Sequence, residues 1–157
     1  MQFETDYGYG AVVVSTVSTP GSSIQRTLDL IGDRWTLLVL RAVFRGLHRF
    51  TELQRDLGIA RNLLTDRLQN LVEHGILERV PYQERPLRHE YRLTEMGRDL
   101  SPALVAFMQW GDRWCVDGPP PTVLVHDACD TPVEHAVRCP CCERSLDARE
   151  IRSRDNG

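Results

Sequence analysis

Two stretches of the chain hold residue types whose spacing could do chemistry. Near the C-terminus, His126 and Cys129 stand with two residues between them, and after nine more residues Cys139 and Cys142 have the same spacing. Two short-spaced pairs of N and S donors can wrap one tetrahedral Zn²⁺. Cys141 and His135 are spare candidate ligands, and a disulfide within Cys139-Pro140-Cys141-Cys142 is the redox alternative. The second stretch runs from about residue 60 to 73. There Leu64, Leu68, Leu71 and Val72 share one helical face, and Asn62, Thr65, Asp66 and Gln69 share the other, with Arg61 at its rim. Such a face offers donors and acceptors to base edges. Asn62 and Gln69 suit adenine, while Asp66 repels phosphate and must accept from a cytosine amine or pair with an arginine. Arg61 suits a phosphate clamp. Arg67 either orients the helix from inside or touches DNA.

The elements that must carry these groups follow from the pattern. Ser22 or Ser23 caps a short helix bearing Ile24, Leu28 and Ile31, and Gly32 stops it. A second helix runs from near Asp33 to Arg45 with Trp35, Leu38, Val39, Ala42 and Val43 as its stripe, closed by Gly46. Arg49-Phe50 reads as a very short strand. Thr51 to Gln54 matches a capping box, opening a helix that ends at Leu57-Gly58. The polar-faced helix follows, ended by His74-Gly75. Ile76–Tyr82 and His89–Leu93 read as two strands joined by residues 83–88, and Pro81 confines them to a two-stranded ribbon. Thr94 caps a further helix, and Ser101-Pro102 marks a second start, so this stretch is two helices or one kinked helix. Met96, Leu100, Leu104, Phe107, Met108, Gly111 and Trp114 mark its apolar side. No repeat or low-complexity tract is evident.

Composition bounds the answer. A chain of 157 residues with 41% apolar and 26% charged residues builds one packed domain, with room for a small appendage. No run approaches the roughly 18 apolar residues of a membrane helix. The start, Met1 to Asp6, is acidic and lacks the basic region of a secretory signal, so the expected location is the cytoplasm. Five cysteines without such a signal point to metal or redox chemistry. Residues 1–21 read as a flexible arm, 22–116 as a core, and 117–157 as a linker, Asp117-Gly118-Pro119-Pro120-Pro121, and a Cys-rich tail. Every basic residue is arginine. A GC-rich genome accounts for that bias, yet arginine's planar fork grips phosphate or guanine at two points. Residues 21–114 carry 14 arginines against 12 acids, whereas residues 115–157 carry 5 against 8.

A short helix, a tight turn at Gly58, a polar-faced helix and then a ribbon make a winged helix-turn-helix, mainly α with a small β-wing (α+β). The helix is narrow enough to enter a major groove. Arg85 and Arg88 at the ribbon's tip would meet phosphate or minor groove. Arg49 and the amides before Thr51 could meet phosphate at a helix start. Trp35, Trp110 and Trp114 suit core or dimer packing more than an effector pocket. His48, His74 and His89 show no metal spacing, and Cys115 suits packing. No nucleophile–base pair, phosphate loop or carboxylate pair of recognisable spacing points to an enzyme.

Residues 24–114 also resemble an HxlR-type regulator, a branch of the MarR-like winged helices. The matching residues are 28–38 (LDLIGDRWTLL), 49–53 (RFTEL), 64–71 (LTDRLQNL) and 86–97 (PLRHEYRLTEMG). The resemblance implies a homodimeric bacterial transcription factor whose terminal helices form the dimer and whose helix at 60–73 reads DNA. Two positions depart from the family pattern. Ser22-Ser23 stands where members often carry Cys-Pro, which puts N-terminal thiol sensing in doubt. Ala60 stands where Ser or Thr often begins the recognition helix. The tail resembles a small zinc-ribbon-like extension of some relatives, with His/Cys in place of the first Cys/Cys pair. The expected function is thus a DNA-binding regulator, in the first instance a repressor, working as a homodimer on an inverted repeat. The alternatives are a redox- or metal-responsive regulator switching through the Cys cluster and a winged-helix protein-interaction module without DNA affinity.

Overall fold

The computed structural model describes residues 22–154. The arm expected at residues 1–21 lies outside them. Helix α1 (Ser23–Ile31) is capped by Ser22, whose Oγ accepts from the Gln25 amide at 3.3 Å, and Gly32 ends it. Helix α2 (Arg34–Phe44) is capped by Asp33, whose carboxylate accepts from the Thr36 amide at 2.9 Å. Such caps satisfy amides that the first helical turn leaves without partners. Helix α3 (Phe50–Leu57) ends at Gly58, which takes a left-handed φ of 60°. Lacking a Cβ, glycine adopts that turn at little cost, and the turn sets the angle to α4 (Arg61–Glu73).

Strands β1 (Leu77–Glu84) and β2 (Leu87–Leu93) pair antiparallel, with Leu77 opposite Leu93 and Pro81 opposite His89. A register shift falls between Pro81 and Gln83. The wing is longer and its turn tighter than the sequence suggests. Gln83, Glu84, Leu87 and Arg88 are in the strands, and only Arg85 and Pro86 turn the chain.

The stretch after the wing is two helices, α5 (Glu95–Arg98) and α6 (Ser101–Trp114). Thr94 caps α5 by accepting from the Gly97 amide at 3.1 Å, and it donates to the Gly75 carbonyl at 2.6 Å. Gly97 is buried against the Ile76 carbonyl, where a Cβ would collide. Leu100, not Ser101, occupies the cap position of α6 and supplies no side-chain bond.

The core lies between α2, α3, α4 and the base of the wing. Val39, Leu40, Leu53, Leu64, Leu68, Leu71, Ile76 and Leu77 are all buried in it. Burying each such side chain is worth roughly 1.5–3 kcal/mol. The buried apolar core of the α+β winged helix thus falls within residues 31–77, and it holds α4 with one face inward and the other to solvent.

Candidate nucleic-acid interface

The start of α3 differs from the sequence reading in a way that matters for the site. Phe50 is helical, and Arg49 alone bridges to Glu90 of β2. The neighbouring backbone strengthens this link, since the Tyr91 amide donates to the His48 carbonyl at 2.8 Å. The helix thus begins at Phe50, and Thr51 is inside it. Glu52, not Gln54, reaches back to accept from the Arg49 amide at 3.0 Å. That amide is then occupied by a carboxylate and is not open to phosphate. A carboxylate also fits the positive end of the helix dipole, which explains why glutamate wins.

Tying Arg49 to the wing brings four arginines into one cleft: Arg49, Arg61, Arg79 and Arg88. Thr51 lines the same cleft, and no carboxylate does among the described residues. Two of the guanidinium groups rest on aromatic rings. Arg49 lies 4.5 Å from the Tyr82 ring centroid, and Arg61 lies 5.4 Å from that of Phe50. Stacking on a ring steadies the planar fork and leaves its N–H edges free to meet an anion. Arg79 and Tyr82 are the groups that the sequence reading missed. Strict alternation along β1 would set residues 79 and 82 on opposite faces, and the register shift between Pro81 and Gln83, which the residues do not announce, breaks that alternation.

On α4, Asn62, Thr65, Asp66 and Gln69 are exposed, as the periodicity requires. They are not equally free. Thr65 Oγ1 donates to the Arg61 carbonyl at 2.9 Å, and Gln69 Nε2 donates to Glu73 Oε1 at 2.8 Å. Gln69 thus offers its carbonyl oxygen more readily than its amide. Asp66 makes no ion pair among the described residues. Arg67 takes the inward role, with its Nε 3.3 Å from Asp33 Oδ1. Poor alignment makes this a charge contact rather than a full hydrogen bond. It still pins α4 to the start of α2. Ala60 occupies the cap position of α4 without a side-chain bond. Arg85 sits apart from the cleft, exposed at the wing turn.

The tail residues form two pairs. His126 Nδ1 lies 3.1 Å from Cys129 Sγ. The Thr131 hydroxyl and amide beside Cys129 hold its thiol below the ordinary value. Backbone amides of Cys142 and Cys141, with the Cys142 thiol, do the same for Cys139. Among the described residues, no three His, Cys, Asp or Glu side chains gather in one place. The pairs thus stand as two separate units.

A polar-faced helix, the glycine turn before it and a ribbon with an arginine-lined junction define a winged helix-turn-helix. Residues 30–118 match the HxlR-like helix-turn-helix family. The chain is 48% identical over 133 residues to an uncharacterized HTH-type transcriptional regulator of Mycobacterium tuberculosis, Rv3095, covering 83% of this chain and 84% of that one. Its fold is similar to the crystal structure of PA1607, a candidate transcription factor, with a TM-score of 0.77, 43% identity and coverage of 89% and 97%. It is also similar to the redox regulator HypR in its reduced form, with a TM-score of 0.55, 35% identity and coverage of 59% and 92%. The chain belongs to the HxlR-like helix-turn-helix family. Where that family often carries Cys-Pro, Ser22 here serves as a helix cap. No helix among the described residues is long and apolar enough to cross a membrane.

Proposed function

We propose that the chain is a DNA-binding transcriptional regulator rather than an enzyme, and that it represses as a homodimer. The observation that carries this reading is the carboxylate-free cleft between α3, α4 and the wing, with Arg49 and Arg61 stacked on rings beside the polar face of α4. Asn62 is the freest group on that face for reading a base edge, and Arg49, Arg61, Arg79 and Arg88 would grip the backbone that flanks it. Arg85 would reach outward along the duplex.

The homodimer rests on a second feature. Leu28 on α1 and Phe107, Trp110 and Trp114 on α6 are 51%, 60%, 61% and 64% exposed. Helices with large apolar side chains left in water call for a partner, and a second copy presents the same face. Two copies place two α4 helices on successive turns of one side of the duplex, which asks for an inverted repeat.

Selection of bound DNA from a random library, at two salt concentrations, tests the proposal. An enriched inverted repeat whose affinity falls steeply with salt is the expected result. Binding without enrichment or salt dependence overturns it and favours a protein-interaction module.

A further inference from the structure

The tail contains a repeat that its side chains hide. In one hairpin the Val133 amide donates to the Leu124 carbonyl, His126 to Thr131, and Asp130 to His126. Thirteen residues on, Leu146 donates to Val137, Cys139 to Arg144, and Glu143 to Cys139. The isolated bridges obey the same shift, Val125 with Pro132 and Arg138 with Ser145. So do the two non-glycine residues with positive φ among the described residues, Asp130 at 54° and Glu143 at 56°. A left-handed conformation is unfavourable for such residues, so its recurrence at one position marks a shared construction. Residues 124–133 and 137–146 have just one identity, Cys129 with Cys142. The repeat superposes His126 on Cys139.

We infer from this that the two hairpins are the halves of one tetrahedral Zn²⁺ site, with His126 and Cys129 from the first and Cys139 and Cys142 from the second. Three observations converge. First, each hairpin presents two donors at equivalent positions, and imidazole and thiolate share no covalent cross-link but do share a metal. Second, the 3.1 Å between His126 Nδ1 and Cys129 Sγ is close to the about 3.5 Å that separates N and S ligands on one zinc. Third, from Cys115 to Arg154 no residue is buried. Two regular hairpins without a core need another source of order, which a structural metal supplies.

The two pairs are apart as they stand, and a short segment keeps the open ends of the two hairpins close together. Four Cα steps join Val133 to Val137, a span of at most about 14 Å. Gln109 of α6 holds this segment, accepting from the His135 amide at 2.8 Å and donating to the Val133 carbonyl at 2.5 Å. Metal binding would draw the hairpin tips together about this fixed point. Cys141 falls opposite Ala128 in the repeat, off the ligand positions, and so is not a ligand.

The experiment uses the full chain purified with reductant. Elemental analysis should give about one zinc per chain, and exchange with cobalt should give the absorption of a tetrahedral, thiolate-bound ion. Cys129→Ser and Cys142→Ser should each lose the metal, whereas Cys141→Ser and Cys115→Ser should keep it. Unchanged helical circular dichroism in the first two variants shows that the winged helix has folded. In the unmodified chain, a chelator should hasten tryptic cleavage after Arg138 and Arg144 while a winged-helix fragment survives. A reduced chain without zinc overturns the proposal, as does metal retained after Cys129→Ser and Cys142→Ser are combined. Metal that depends on Cys141, or a native disulfide among Cys129, Cys139 and Cys142 by intact mass of a chain alkylated before any reductant is added, overturns it equally.

Discussion

Leu53 and Leu64 in the winged helix have no exposed surface, whereas the best-covered tail residues, Leu124, Cys139 and Leu146, are only half-buried. The winged helix is thus held by close packing, and side-chain caps at Ser22, Asp33 and Thr94 set the ends of three of its helices. The tail is held by backbone bonds across two hairpins, by Gln109 and by the exposed Arg144–Glu150 ion pair at 3.3 Å. The difference teaches where each region is sensitive. One should fail when volume is removed, and the other when donors at its hairpin tips are removed.

The sharpest way to break that comparison is to remove volume in both regions. Leu64→Ala should cost about 2–5 kcal/mol of unfolding free energy in urea titration, because its cavity has little room to collapse. A chain that lost less than 1 kcal/mol there would show that the core is loosely packed. Gly97→Ala should come next, at about 1–3 kcal/mol, because the Ile76 carbonyl bars the added methyl group. A melting curve that matched the parent chain would sink this account of how α5 sits on the wing.

The proposed DNA contacts also fall in one of the two regions. Asn62→Ala should relax base preference at one position of the selected site, by about 1–3 kcal/mol if the contact is bidentate. Arg88→Ala should weaken all sequences alike and reduce the salt slope by about 1. A shift in preferred sequence with Arg88→Ala would instead make it a base reader. The smallest effect belongs to the tail. Val137→Ala should alter unfolding by no more than about 0.5 kcal/mol, since this side chain is 46% exposed. A cost approaching that of Leu64→Ala would reveal a covered tail core.

Much of the winged helix is legible in the chain because its signals are local. Ser22, Asp33, Thr94 and Gly58 mark ends by residue type, and the Leu64–Leu68–Leu71 spacing marks a buried face. What escapes is decided by competition or by distance. Thr51 to Gln54 looks like a capping box, yet Glu52 at the third helical position reaches the open amide first. Arg49-Phe50 looks extended, yet only Arg49 meets β2. Residues 83–88 read as the loop between the strands, yet the strands run on to Glu84 and from Leu87, and only Arg85 and Pro86 turn the chain. Of the proposed contact groups, those on α4 follow from periodicity, while Arg79 is brought in by strand pairing across the wing. The tail repeat is invisible in the residues because its regularity lies in backbone bonds, which nearly any side chain tolerates.

The grip of Gln109 on the segment between the hairpins has a consequence for how such a chain can diverge. A primary amide carries the same donor and acceptor as a peptide unit, so α6 holds the tail with a borrowed backbone group. Any sequence supplies a carbonyl at position 133 and, proline aside, an amide at 135. The attachment therefore places almost no demand on the identity of the residues it holds. An appendage joined in this way can drift in sequence, or be exchanged for another of the same backbone shape, while a single inherited glutamine keeps its place on the helix.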